Sequence, residues 1–174
     1  MEEIKTYHTN GQIKAHYYEL DGKLIGEYKT WHANGQLHEH GHFIDSDELH
    51  GDFKRWYENG QLASHTPYVN DQVHGECREW YDNGQLYLHT SYENDKRHGE
   101  YRTWHDNGQL STHRYCVHDN NHGEYKNWSK QGYLTSHTFW IYGEEVTQQV
   151  YELITDINNI THEERILIKL AIGC

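Results

Sequence analysis

Residues 74–86 read His-Gly-Glu-Cys-Arg-Glu-Trp-Tyr-Asp-Asn-Gly-Gln-Leu, and this pattern returns along the chain at intervals of 24 or 25 residues. Asn-Gly is a strong hairpin signal, because tight turns between antiparallel strands need residues that tolerate a positive φ. Aromatic-rich segments of strand length flank each Asn-Gly pair, and a polar stretch before the next unit supplies the return turn. Each unit is therefore predicted to be a β-hairpin. A partial unit comes first, and complete units begin at Gly26, Gly51, Gly75, Gly99 and Gly123.

Consecutive hairpins predict an all-β repeat protein, an extended antiparallel β-hairpin meander of roughly a dozen strands. Residues 1–143 are predicted to form this domain, with about six 24-residue units. Residues 144–174 contain six of the eleven Ile and no Trp, and they predict a short C-terminal α-helical cap. Apolar residues fall at helical spacing from Val146 to Ile157, and a capping box at Thr161 opens a second helix over 165–172. We expect the helices to cover the open edge of the last hairpin, with an apolar face for a partner as the alternative.

The pattern His-Gly-x-x-x-x-Trp-Tyr-x-Asn-Gly-x-Leu resembles the variant repeat of the MORN-repeat family (membrane occupation and recognition nexus). The resemblance covers about residues 1–143 and implies a MORN-like solenoid of hairpins. It also implies contact with proteins or with acidic-lipid membranes, and bacterial chains of this variant type are often labelled antitoxin components. The family's usual Gly ahead of His-Gly is kept at Gly22 and Gly143. An Asp, which tolerates turn geometry, replaces it at Asp71, Asp95 and Asp119.

Charge and composition exclude several classes of function. A net charge of −12 disfavours a sequence-independent grip on nucleic-acid phosphates, so we expect no nucleic acid partner. The sequence contains no apolar run of about 18 residues, so it predicts no transmembrane segment. The N-terminus lacks the basic start and apolar stretch of a signal peptide, so we expect a cytoplasmic or otherwise intracellular protein that is not secreted. Cys77 and Cys116 fall in aromatic core columns and are expected to be reduced core residues.

Strand alternation places a basic column, a Trp column and a His column on one face of the sheet. The opposite face then holds the aromatic column two residues after each unit Gly, together with the Leu column. A one-residue bulge would exchange parts of these sets. Trp and Arg dominate protein-binding hot spots, so we predict an interaction site here, with second-layer packing as the alternative. This basic–Trp stripe consists of Lys29, Trp31, Lys54, Trp56, Arg78, Trp80, Arg102, Trp104, Lys126 and Trp128.

Seventeen His residues suggest metal binding, but the repeat spacing opposes it. Equivalent residues of successive hairpins lie about 9.5 Å apart, whereas two ligands of one zinc ion lie within about 4 Å. Only His38, His40 and His42, alternating on one strand, could converge on a metal, and the acidic loop 45–49 could hold a cation. We predict no metal and no cofactor. Protonation of every His would make the net charge positive, so we expect binding or solubility to depend on pH.

No catalytic motif stands out, because catalysis needs one singular constellation and the notable residues here are repeated. We therefore predict no catalytic residues and a non-enzymatic repeat scaffold that mediates protein–protein interaction. The alternatives are binding of anionic membrane lipid surfaces, which the acidic column beside every basic one opposes, and an antitoxin or immunity-type protein that neutralises a partner. Edge-to-edge pairing through the N-terminal hairpin would give a homodimer.

Overall fold

A computed structural model describes residues 1–44 and 47–159, which form one antiparallel sheet of fifteen strands and one helix. Strands that neighbour each other in the sheet also follow each other in the chain, which confirms the hairpin meander. The elements are β1 (Glu2–Tyr7), β2 (Ile13–Leu20), β3 (Lys23–Trp31), β4 (Leu37–Ile44), β5 (Glu48–Leu49), β6 (Gly51–Trp56), β7 (Leu62–Val69), β8 (Gln72–Val73), β9 (Gly75–Trp80), β10 (Leu86–Glu93), β11 (Lys96–Trp104), β12 (Leu110–Val117), β13 (Asn120–Trp128), β14 (Leu134–Ile141), β15 (Glu144–Val146) and α1 (Gln148–Asn159).

The sheet has more strands than expected because two of its long strands are interrupted. β5 pairs with β4 and β8 pairs with β7, and after one further residue each continues into β6 or β9. The interrupting residues are His50 and His74. Each precedes a glycine in the left-handed region, Gly51 at φ +83° and Gly75 at φ +109°. Glycine allows this local change of direction without the steric cost that a side chain would impose.

The Asn-Gly turns use only their glycine in the left-handed conformation. Tyr81 N donates to Gln85 O (2.8 Å), Gly84 N donates to Tyr81 O (2.9 Å), and Gly84 has φ +82°. Asn83 has no positive φ, so its value to the turn lies in its side chain. Its Oδ1 accepts from Gln85 N (2.9 Å), and its Nδ2 donates to Asp106 O in the next repeat (2.9 Å). The Asn is therefore a bond between repeats, which the turn prediction did not include.

The same bond joins the other Asn-Gly turns. Gln61 also lies over the glycine of the following turn, since a Cβ built on Gly84 would be 3.1 Å from Gln61 Oε1. Each Asn-Gly-Gln tripeptide thus packs on the next one along this edge of the sheet. The remaining Asn side chains donate from Asn10 to Ala33, Asn34 to Glu58, Asn59 to Asp82 and Asn107 to Lys130.

The return turns have two residues with positive φ, as in Asn94 (φ +50°) and Asp95 (φ +66°). This is the geometry of the tight hairpin turn whose twist matches the flanking strands. Asp95 N donates to Val73 O (2.9 Å), and Asp95 Oδ1 accepts from Val73 N (2.8 Å). Asp in place of the family's Gly therefore adds a hydrogen bond to the previous hairpin that glycine has no side chain to make.

The two faces of the sheet carry different side chains. On the aromatic face, named for the column two residues after each unit Gly, Phe53 contacts Tyr68 with ring centroids 6.3 Å apart. The basic and His columns lie on the opposite face, called the triad face because each base there contacts a carboxylate that also lies near a His. The Leu prediction is wrong: Trp104 pairs directly with Leu110 because Ser111 is a bulge, so Leu shares the face of Trp.

Few side chains are fully buried, because one sheet layer covers little of its own surface. Cys77 and Cys116 are both buried and free, and burial raises the pKa of the Cys77 thiol to about 11. A thiol with a raised pKa is a poor nucleophile, which agrees with their assignment as core residues. The buried residues of the described chain are Gly41, Phe53, Cys77, Thr90, Thr103, Cys116 and Phe139.

The C-terminal cap differs from the expectation in its position. β15 pairs with β14 and so occupies the sheet edge that the helices were expected to cover. Helix α1 instead turns back onto the triad face, where the Tyr151 ring lies 5.2 Å from the Phe139 ring. The predicted second helix, over 165–172, lies outside the described residues. Within 1–44 and 47–159, no helix is both long and apolar enough to cross a membrane.

Candidate functional site

Six sets of three charged or titratable side chains follow one another along the triad face. In one set the Arg102 guanidinium lies 2.6 Å from a Glu100 oxygen, and His113 Nε2 lies 3.5 Å from the same oxygen. Across the six sets the distance from His Nε2 to the carboxylate is 2.8–3.5 Å. The triads are Glu3–Lys5–His16, Glu27–Lys29–His40, Asp52–Lys54–His65, Glu76–Arg78–His89, Glu100–Arg102–His113 and Glu124–Lys126–His137.

Strand geometry explains why every repeat builds a triad. The acid and the base are two residues apart on one strand, so both side chains point to the same face. The His is directly opposite the base in the ladder, as Arg102 is opposite His113. Directly opposite side chains in an antiparallel pair are close enough to interact. The repeat spacing therefore fixes all three residues at once.

The triads change the electrostatics of the predicted stripe. Contact with Lys29 and then His40 lowers the pKa of the Glu27 carboxyl, and contact with Lys126 lowers that of Glu124. The pKa of Asp52 is lowered chiefly by His65 and then by Lys54. Each base of the stripe thus has a carboxylate beside it, and the stripe is a row of ion pairs, not a free basic surface.

Acid is expected to destabilise the sheet through these carboxyl groups. Their pKa values are lower in the folded chain than the ordinary 4.5 of Glu or 3.8 of Asp. Their contribution is therefore complete above the unfolded pKa and is lost as the pH falls through the folded one. Urea midpoints measured between pH 6 and pH 3 should fall below about pH 4.5. In the variant Asp52→Asn the fall should be smaller, and an identical pH profile would contradict this origin.

The Trp side chains of the stripe lie beside the triads, at the strand ends next to the Asn-Gly turns. Their backbone is held by the preceding repeat, since the Tyr81 hydroxyl donates to Trp104 O (2.8 Å) and Tyr57 to Trp80 O (2.6 Å). His8, His32 and His105 make the equivalent contact, with Nε2 2.8 Å from the Trp carbonyl oxygen. The ten stripe residues lie on β3, β6, β9, β11 and β13, which are alternate strands of the sheet, and the triad His residues lie on the strands between them.

The His set proposed for a metal is not brought together. His38 is the bulge residue opposite the end of β3, and its ring lies 4.4 Å from His32. His40 belongs to a triad with Glu27 instead. In the acidic loop, Asp45 and Ser46 lie outside the described residues, and Asp47 Oδ1 accepts a hydrogen bond from Leu24 N.

Sequence reasoning missed a cluster in which Glu93, His98 and His118 place a ligand atom each within 4.8 Å of one another. In the sequence His98 is one of the repeated His-Gly residues, and Glu93 and His118 fall in the polar stretches that predict return turns. A signal was present in the repeats: Glu93 stands where the other units have an aliphatic residue. These are Leu20, Ile44, Val69, Val117 and Ile141.

Comparison with known proteins supports the fold assignment. No curated protein matches the chain. The family model for the MORN repeat variant matches four consecutive repeats, at residues 24–45, 49–70, 73–94 and 97–114. The triads of the first and last hairpins have the same arrangement outside the matched range. The chain therefore belongs to the MORN repeat variant family.

Proposed function

We propose that the chain is a non-enzymatic scaffold that binds another protein through the basic–Trp stripe on its triad face. MORN repeats occur in repeat proteins that often mediate binding. The observation that carries the proposal is a row of Trp residues beside ion pairs. In each ion pair the basic side chain is held in place by a carboxylate of the same strand. Side chains that are already ordered lose less conformational entropy when a partner binds. Trp and Arg supply large contact areas at hot spots.

The charge balance favours a protein partner over a phosphate-rich surface. Phospholipid headgroups and nucleic acids attract uncompensated Lys and Arg. Here each basic residue of the stripe contacts a carboxylate, as Lys54 does with Asp52 at 3.0 Å, and the whole chain carries −12. An antitoxin or immunity-type role would be one case of the same proposal, with a toxin as the bound protein.

The test compares two variants of equal charge change on opposite faces. Arg78→Gln with Arg102→Gln removes two bases of the stripe. The control Arg55→Gln with Arg97→Gln removes two bases from the aromatic face, where the Arg55 guanidinium lies 5.2 Å from the Phe53 ring centroid and the Arg97 guanidinium 5.9 Å from that of Tyr101. A protein captured by the wild type from native lysate is then purified, and its Kd is measured by calorimetry for each chain.

We expect the stripe variant to weaken this binding more than about tenfold, and the control to change it less than about twofold. Circular dichroism must show that both variants keep the sheet. Equal affinity of all three chains would place the interface elsewhere and overturn the assignment of the stripe. If the wild type captures no protein and instead sediments with phosphatidylserine vesicles at pH 7 and pH 5.5, lipid binding would replace the proposal.

A further inference from the structure

Glu93, His98 and His118 form a metal-ligand cluster at one corner of the triad face. His118 Nε2 lies 3.4 Å from Glu93 Oε2, and His98 Nδ1 lies 3.8 Å from the same oxygen. The two imidazole rings have their centroids 4.9 Å apart. Zinc bonds of about 2.1 Å in a tetrahedral site put neighbouring ligand atoms about 3.4 Å apart. Both His–Glu separations are therefore close to the one that a zinc ion requires, and all three ligand atoms lie within 4.8 Å of one another.

We propose that Glu93, His98 and His118 bind a divalent transition metal, with Zn²⁺ as the ion that their donor set fits. Two imidazole nitrogens and one carboxylate oxygen are a recurrent set of protein ligands for zinc. Three protein ligands leave the fourth tetrahedral position free. The side chains of the cluster are 37–53 % exposed, so this position is open to water or to a donor group of a bound partner.

Three consecutive structural elements bring the ligands together. Glu93 is the last residue of β10 and pairs with Lys96, the first residue of β11. His98 is two residues further along β11, so it shares the face of Glu93 diagonally across the strand pair. His118 is the first turn residue after β12, the strand that pairs with β11, and has φ +48°. A bound ion would therefore connect two successive hairpins.

The cluster departs from the repeat at both positions that surround a repeated His. In the neighbouring unit the equivalent residues are Val69, His74 and Asn94, with His74 Nδ1 3.3 Å from Asn94 Oδ1. The His therefore contacts the first residue of the following turn in both units. At His98 that turn residue is itself a His, and the aliphatic neighbour is replaced by Glu93. Two coordinated changes that together complete a ligand set point to a bound ion.

The surroundings of His98 are costly without such an ion. Its Nδ1 is buried and makes no hydrogen bond in the described chain. A buried polar atom without a partner destabilises the folded chain, because it has lost its hydrogen bonds to water. Coordination of a metal ion would give this nitrogen a partner.

The first variant replaces two of the three ligands by the residues of the neighbouring repeat. Because that repeat folds with these residues, the variant is expected to keep the sheet. In the variant Glu93→Val with His118→Asn the unit has the same three residue types as the unit of His74. Zn²⁺ is titrated by calorimetry into chelator-treated full chain, wild type and variant. We expect one tight site in the wild type and at least about 100-fold weaker binding in the variant. The same affinity and stoichiometry in both chains would overturn the proposal.

A second variant adds the ligands instead of removing them. Val69→Glu with Asn94→His copies the cluster into the neighbouring unit, and the stoichiometry should rise from one to two tight sites per chain. The wild-type site should weaken between pH 7.5 and pH 5.5, because imidazole must be neutral to bind the metal. Unchanged stoichiometry in the copied variant would show that these three positions do not suffice, and it would overturn the assignment of the ligands.

Discussion

Replacing Phe53 by Ala is expected to lower the free energy of unfolding by about 3–5 kcal/mol. Phe53 is only 8 % exposed and is one of the few apolar side chains that the sheet buries. Its ring fills the space above Gly41, where a Cβ would lie 2.5 Å from Phe53 Cδ2. The Arg55 guanidinium carbon lies over the ring, 5.2 Å from its centroid. Truncation therefore removes the apolar contact between this ring and the Gly41 backbone and exposes that part of the aromatic face.

Urea unfolding followed by circular dichroism measures this loss, with Tyr133→Ala as the control. Tyr133 is 73 % exposed, so its truncation should change the free energy of unfolding by less than about 0.5 kcal/mol. Phe53→Leu should be intermediate, because it keeps much of the apolar volume. A loss below about 1 kcal/mol for Phe53→Ala would contradict the packing described for this ring.

The second large effect is expected at Arg114, whose replacement by Ala should cost about 2–3 kcal/mol. The guanidinium carbon lies 4.2 Å from the Tyr101 ring centroid and 5.4 Å from that of Tyr125. Its Nη1 also donates to Asn121 Oδ1 at 2.7 Å. Arg114 thus joins two aromatic residues of successive repeats, and Ala removes the stacked cation, its aliphatic stem and the hydrogen bond together.

Arg114→Lys separates charge from shape. Lysine keeps the charge and most of the stem but has no planar group to lie between two rings. We expect it to recover about half of the stability lost by the Ala variant in the same urea experiment. Full recovery would show that the planar stacking contributes nothing, and a loss as large as that of Ala would show that the stem does not matter.

The position of Arg114 also explains a variation that the sequence leaves obscure. Its equivalents in the other complete hairpins are Gly41, Thr66, Thr90 and Thr138, each opposite a residue of the aromatic column. Gly41 lies between Tyr28 and Phe53, where the second ring leaves no room for a Cβ. At this position a residue between two rings is either glycine or the flat Arg side chain. Whether a second ring is present depends on the aromatic-column residue of the neighbouring repeat.

The sequence predicts the hairpin meander well because every unit repeats the same columns at the same spacing. The Leu column was placed on the wrong face because a bulge is a backbone feature that strand alternation does not register. Ser111 is the extra residue of the bulge, and serine is not a residue type that predicts a bulge. The role of Asn83 was partly missed for a related reason: its bond to Asp106 joins two units, and a turn signal is local.

The sequence predicts which residues form the candidate site, but it does not predict that a carboxylate contacts each of its bases. The basic and acidic columns are visible in the sequence, yet their pairing with His113 and its equivalents depends on the register across the hairpin. The cluster of Glu93, His98 and His118 depends on a contact between two units, because His118 lies 20 or more residues after the other two. A comparison among the repeats does single out Glu93, because a carboxylate replaces an aliphatic residue at a fixed column.

The bonds between Asn-Gly turns have a consequence for how such a gene can change length. Each unit receives a hydrogen bond from the Asn before it and supplies one from its own Asn, as Asn83 does to Asp106. An in-frame gain or loss of 24 codons between two such turns therefore creates a junction of the kind already present. Copy number can vary by recombination between repeats while the remaining junctions keep their bonds, so selection can adjust the length of the surface independently of its pattern.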